Sequence, residues 1–216
     1  MDGDGMGQCV THNAEVEITG LNHVGQGVGR LADGAVVFVS GALPGETVRV
    51  QVTHRSRRHT EGRLLELIVS SGQRRRPPCI LADHCGGCSL QPLSYAAQLE
   101  AKSQLVQAPL QRIAQLAHAP EPVLASASEL GYRNRAVIPL ERRDDGRLRA
   151  GFYRRGSHQI VNMNHCPVLD PRLDALIQPL KQDLEASDLP IDRHGETGGG
   201  LRHLALRIGH HSGEIL

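Results

Sequence analysis

Four cysteines carry the sharpest chemical signal in this 216-residue sequence. Cys79, Cys85 and Cys88 form a C-x5-C-x2-C run, and Cys166 follows with 77 residues between it and the third. Clustered thiols in a chain expected to be cytoplasmic read first as metal ligands, because structural disulfides are rare in reducing compartments. A short loop lets three thiolates converge on one centre. Gly86-Gly87, inside the C-x2-C turn, leaves the backbone free to fold around it. A fourth ligand from a distant segment would close the site, and Pro77-Pro78 and Pro167 stiffen both approaches. Four thiolates suit either a structural zinc or an iron–sulfur cluster. Three ligands packed together and one remote favour a cubane over zinc, since zinc sites prefer paired C-x2-C knuckles. His84 and His165 adjoin the ligand candidates; they are read as solvent-facing or supporting groups, with replacement of one ligand in a zinc site as the alternative. Cys9, alone in the N-terminal tail, is read as a bystander.

Arginine is the second signal. Of 24 basic residues, 22 are Arg, and the net charge of +1 conceals their segregation. Residues 1–48 hold one Arg against six acids, residues 49–76 eight Arg against two, and residues 129–155 eight Arg against four. Guanidinium forks match phosphate geometry and stack on bases, so two such blocks point to an anionic, nucleic-acid partner. The residues expected to contact RNA are Arg55, Arg57, Arg58, Arg74, Arg75, Arg76, Arg133 and Arg135. The competing expectation is that some of them pair with Glu61, Glu66 or Asp144. Aromatic residues are only two Phe and three Tyr, with no Trp, which weakens any scheme resting on an aromatic stacking platform.

The elements that must position these residues follow from periodicity. Residues 1–13 lack a pattern and are expected to form a flexible tail. From residue 14, short alternating or apolar runs (14–18, 35–39, 48–52, 63–69) are separated by Gly25, Gly27, Gly29, Asp33-Gly34 and Pro44-Gly45. Five short strands in about 55 residues without a helix signal predict a small OB-like barrel over 14–70. Residues 71–92 read as a linker and cluster loop. Residues 93–216 read as an α+β domain. It opens with a helix capped by Ser94 and running to about 117, which Pro109 should break or kink. Strands are expected at 132–140, 148–153, 157–162 and 201–208, with a hairpin turn at Asp144-Asp145-Gly146, and a helix at 170–186. The last residues, Glu214-Ile215-Leu216, read as the start of a return strand. A strand left there would have an unpaired edge, so the sequence is expected to be the N-terminal part of something longer. No apolar run approaches the roughly 20 residues that a spanning helix needs. The acidic start, MDGDGMGQCV, is unlike a signal peptide. A cytoplasmic protein, without membrane contact and monomeric, is expected.

Several motifs, taken in order, resemble one family. Gly25-Gln26-Gly27-Val28-Gly29, Val36-Val37-Phe38-Val39 and Gly41-Ala42-Leu43-Pro44-Gly45-Glu46 are similar to a TRAM domain, a small RNA-binding barrel. Gly131-Tyr132-Arg133-Asn134-Arg135, Gly151-Phe152-Tyr153 and the 201–207 run LRHLALR resemble the central domain of the bacterial RNA uracil-C5 methyltransferases of the iron–sulfur type, whose best-known members modify 23S ribosomal RNA. The resemblance implies that Cys79, Cys85, Cys88 and Cys166 ligate a [4Fe-4S] cluster. It further implies an RNA partner and methylation of a uridine C5 by S-adenosylmethionine. In that family a cysteine thiolate attacks C6 of the uracil, C5 takes the methyl group, and a base removes the C5 proton. The cofactor domain and catalytic cysteine of the family have no counterpart here. The glycine cluster at 25–29 is followed by strand and turn signals instead of a helix, so it is not a cofactor loop. This chain alone is therefore expected to bind RNA without catalysing, with no catalytic or S-adenosylmethionine-binding residue of its own and S-adenosylmethionine entering only through a missing Rossmann-like domain. The alternative is a stand-alone RNA-binding module with a structural zinc or cluster. A radical S-adenosylmethionine enzyme would need C-x3-C-x2-C with an open iron, and neither the spacing nor the leading barrel agrees.

Overall fold

The structure, a computed structural model, describes residues 12–56, 59–192 and 198–216. The expected tail, Cys9, Arg57 and Arg58 lie wholly or almost wholly outside the described residues. The chain divides into two units, one formed within residues 1–77 and 89–125, the other within 78–88 and 126–216.

The first unit is a closed barrel in the order β1-β2-β3-β5-β4. Its strands are β1 (Asn13–Leu21), β2 (Gly27–Arg30), β3 (Val36–Val39), β4 (Thr47–Arg55) and β5 (Thr60–Val69). The alternation in β4 does what its period requires, since Val48, Val50 and Val52 all point inward and are fully buried with Val16, Ile18, Val37 and Val39. Each such side chain contributes about 1.5–3 kcal/mol on burial. Every neighbouring pair is antiparallel except β3 with β5, which run parallel and close the barrel. β1 and β2 approach so closely at Gly29 that an added Cβ would stand 2.3 Å from Val16 Cγ1 and 2.6 Å from the Glu17 carbonyl. Only glycine fits that position.

Helix α1 (Tyr95–Arg112) belongs to the same unit. Its Ser94 cap accepts from the Ala97 N–H at 3.4 Å. Leu93 and Ala101 bury with Leu43 of the barrel, with Leu21 and Ala97 packed against them. Chain order groups this helix with the second half of the molecule, but its apolar face finds its partner on the barrel instead. The helix continues through Pro109, whose carbonyl still accepts from Ile113 N–H at 2.9 Å, but it ends three residues later at Arg112, short of the expected 117.

The second unit is a three-stranded sheet, β7-β6-β8, with one helix among its described residues. Its strands are β6 (Arg135–Arg142), β7 (Leu148–Ala150) and β8 (His203–Arg207), and the helix is α2 (Pro171–Ala186). The β6–β7 connection turns at Asp144-Asp145-Gly146 as expected, closed by Arg143 N–H to the Arg147 carbonyl. The run 157–162 forms only an isolated bridge, Tyr153 with Ile160, in place of the expected full strand. Ile138, Leu169, Leu173, Ile177 and Ile208 form the fully buried centre of this unit. Among the described residues no helix is long and apolar enough to cross a membrane.

Candidate metal centre and nucleic-acid interface

All four cysteines of the sequence motif fall within the second unit, and none is in a disulfide. Residues 79–85 coil through successive turns, ending with Cys85 N–H donating to the Leu81 carbonyl at 2.7 Å. Gly86 N–H then donates to the Tyr153 carbonyl at 2.8 Å. A Cβ on Gly86 would lie 2.8 Å from that oxygen, so the loop reaches the 153–155 segment only because the residue has no side chain. Arg155 secures the far end, donating from Nη2 to the Cys88 carbonyl at 2.8 Å. Cys88 packs against the same apolar cluster that buries Cys166.

The electrostatics tie the thiols together. Burial above all, with Cys88 adding to the rise, pushes the Cys166 thiol up to about 11. Burial likewise pushes Cys85 up, with Cys88 and Cys79 adding to the rise and the Gly87 N–H, 3.4 Å from its sulfur, opposing it. The cation that lowers both groups is Arg133. Its guanidinium lies 5.7 Å from the centroid of the Phe152 ring. The backbone of Arg133 is fixed against the Cys166 segment, by donation to the Val168 carbonyl and acceptance from Asp170 N–H. Cys85 and Cys166 thus resist ionising on their own. As a donor set they suit a multiply charged metal centre, which would supply the compensation one arginine cannot. Among the described residues, however, no group of three or more His, Cys, Asp or Glu side chains converges on a metal-holding position. What speaks for a cluster is the donor chemistry and the backbone that supports it.

Helix α2 holds the segment that carries Cys166. Asp174 Oδ1 accepts from Cys166 N–H at 2.6 Å, and its other oxygen faces Nδ1 of His165. Lys181, buried, donates to Asn162 Oδ1 at 2.9 Å, the Met163 carbonyl at 3.0 Å and Asn164 Oδ1 at 2.7 Å. Burial pushes its ammonium down. Sequence reasoning missed both residues. Only their i, i+7 spacing on one face of a helix hinted that they act together.

The arginines sort into two kinds. Arg74 is committed to the fold: Nε and Nη2 donate to Glu46 at 2.6 and 2.9 Å, and Nη2 also to the Gly41 carbonyl at 2.7 Å. Arg75 Nε donates to the Gln91 carbonyl at 3.2 Å. Arg55 pairs with Asp33 at 2.5 Å on the surface, and Arg49 with Glu66. Arg76 and Arg135 are exposed. Arg133 and Arg135 do not share one face of a strand, as their alternation predicts. Instead β6 starts only at Arg135, and Arg133 turns inward toward Phe152 and the thiols. His84 and His165 are both exposed, as read from the sequence.

A TRAM domain family model matches residues 8–65. Over 202 residues the chain is 50% identical to a protein of Parasynechococcus marenigrum named an uncharacterized RNA methyltransferase, covering 94% of this chain and 43% of that one. It is 42% identical over 176 residues to the 23S rRNA (uracil(1939)-C(5))-methyltransferase RlmD of Halomonas elongata, covering 82% of this chain and 36% of that one. Among solved structures, the tRNA (uracil-54, C5)-methyltransferase of Pyrococcus abyssi in complex with S-adenosyl-L-homocysteine matches with a TM-score of 0.64 at 25% identity, covering 93% of this chain and 44% of that one. The chain spans less than half the length of the curated relatives it matches.

Proposed function

Because the chain belongs to the family of TRAM-containing RNA methyltransferases, we propose that it is the RNA-binding and iron–sulfur part of an S-adenosylmethionine-dependent enzyme that methylates C5 of a uridine in 23S ribosomal RNA. Methyl transfer itself is assigned to the portion of the longer relatives that this chain does not span. The observation that carries the reading is the continuous likeness to RNA methyltransferases through barrel, cysteine loop and second unit alike, 94% of the chain. The ribosomal target rests on the RlmD relative; the solved neighbour is named for a transfer RNA substrate, so the site of methylation is what a substrate assay must decide.

Within this reading Cys79, Cys85, Cys88 and Cys166 hold a [4Fe-4S] cluster. Their four thiolates would bind the group and so tie the cysteine loop to the Cys166 segment, a structural role. Arg133 offsets part of the thiolate charge. Gly86, Arg155, Asp174 and Lys181 fix the two backbone segments that present the ligands. Arg76 and Arg135 face solvent and are proposed as RNA contacts, as are Arg55 on the barrel surface, Arg75, and Arg57 and Arg58, which lie outside the described residues.

Anaerobic purification of the chain, with assays of iron, sulfide and zinc beside a Cys88→Ser variant, tests this. About four irons per chain and a brown colour, both lost in the variant, are expected. One zinc per chain without colour would replace the cluster by a structural zinc and favour a plain RNA-binding module.

A further inference from the structure

We propose that an open cleft of about 500 Å³ in the second unit, lined by α2 and the 164–165 segment, docks an unpaired nucleobase of the RNA. This rests on the RNA-binding reading above and adds a site to it. The cleft is lined by Asn164, His165, Asp174, Gln178, Gln182 and the apolar pair Ala175 and Pro179.

Two of its polar groups are held in place although they are exposed. The His165 side chain is 68% exposed, yet its Nδ1 is directed at the Asp174 carboxylate, which is only 16% exposed and already fixed by Cys166 N–H. That leaves Nε2 on the open side. Asn164 gives its Oδ1 to Lys181, which settles the orientation of the amide and leaves the NH2 end for an outside acceptor. Asp174, Gln178 and Gln182 recur every fourth residue, so they form one stripe along α2. Pro179 lacks an N–H, so the Ala175 carbonyl loses its helical donor beside the same cleft.

The chemistry favours a base over a phosphate. Among the described residues no Lys or Arg lines the cleft, and its single carboxylate is engaged. What remains is a set of fixed or adaptable amide and imidazole groups beside the exposed apolar side chains of Ala175 and Pro179. Unpaired RNA bases are hydrogen-bonded on their edges and stacked on aromatic rings, His among them, and flipped bases also pack against apolar side chains. The volume lies within the usual range for small-ligand sites.

The test measures binding of a fluorescent unstructured 20-nucleotide RNA to the full chain over a salt series. His165→Ala and the double variant Gln178→Ala/Gln182→Ala are compared with the parent, their folding checked by circular dichroism and melting. The two variants alter different segments, and alanine suits the exposed helix positions. Each is expected to weaken binding about tenfold, the effect of losing one or two hydrogen bonds, with the slope of log K against log salt unchanged. Variants that bind as tightly as the parent overturn the cleft and leave RNA binding standing. A fall in the salt slope means a phosphate contact and also overturns base docking. A parent chain that binds no RNA overturns the underlying reading, and the cleft with it.

Discussion

At the scale of single residues, Glu46 and Arg74 show how context decides what a charge does. Glu46 is fully buried and accepts from Leu43 N–H at 2.8 Å as well as from the Arg74 guanidinium. Removing one member of such a pair strands the other, so Glu46→Gln is expected to destabilise the barrel by about 2–3 kcal/mol, discounted because a quarter of the Arg74 side chain remains exposed. Arg49→Ala, which breaks an exposed pair with Glu66, should cost less than about 1 kcal/mol. Urea unfolding of both variants checks the contrast, and equal losses would remove the distinction. In the sequence these two arginines look alike. Nothing near Arg74 announces that its partner lies 28 positions earlier.

At the scale of elements, α2 is the organising piece of the second unit. Asp170 caps it and Pro171 occupies its first turn, where a missing N–H does no harm. The Asp170 carboxylate accepts from Arg172 N–H at 3.0 Å and from its guanidinium, which hold its carboxyl down at about 2, below its ordinary 3.8. A depressed carboxyl pKa means that the unfolded chain takes up the proton first as pH falls. The cap's contribution is therefore complete above about pH 4 and fades as pH drops through 2. Thermal melts between pH 5 and 2 should show this loss, and Asp170→Asn, still a capping residue, should flatten it; an identical profile for the variant would refute the assignment. The extent of α2 was legible as helical periodicity over 170–186, while its Asp170 cap was seen only in the structure. Its grip on the cysteine segment was not legible either, because Asp174 and Lys181 acquire meaning only from what the fold brings beside them.

At the scale of the whole molecule, charge segregation is the property most exposed to test. Phosphate contacts release counterions, so each arginine that makes one contributes about one to the salt dependence of RNA binding. Arg76→Gln and Arg135→Gln are each expected to lower the slope of log K against log salt by about 0.7–0.9. Arg74→Gln should leave that slope unchanged, since its donors face Glu46 and Gly41. A slope that falls equally in all three would mean that arginine count, and not placement, governs binding. The resemblance to RNA methyltransferases was legible along the chain because short motifs kept their order, from the Gly25–Gly29 turn to the 201–207 strand. Relatives more than twice as long place the present residues within a larger protein family without fixing what the remaining length does here.

The sequence by itself determined the local pieces: the alternating valines of β4, the Ser94 cap, the Asp-Gly hairpin turn and the candidate ligand set of four cysteines. Each depends on nearest-neighbour geometry and on periods of 2 or 3.6 residues, which are written directly in the order of residues. Only the tertiary structure decided the parallel closure of β3 on β5, the packing of α1 against the barrel, and the turn of Arg133 toward Phe152. It alone paired His165 with Asp174. Those depend on which surfaces remain to be buried, and which charges remain to be matched, once the local pieces have formed.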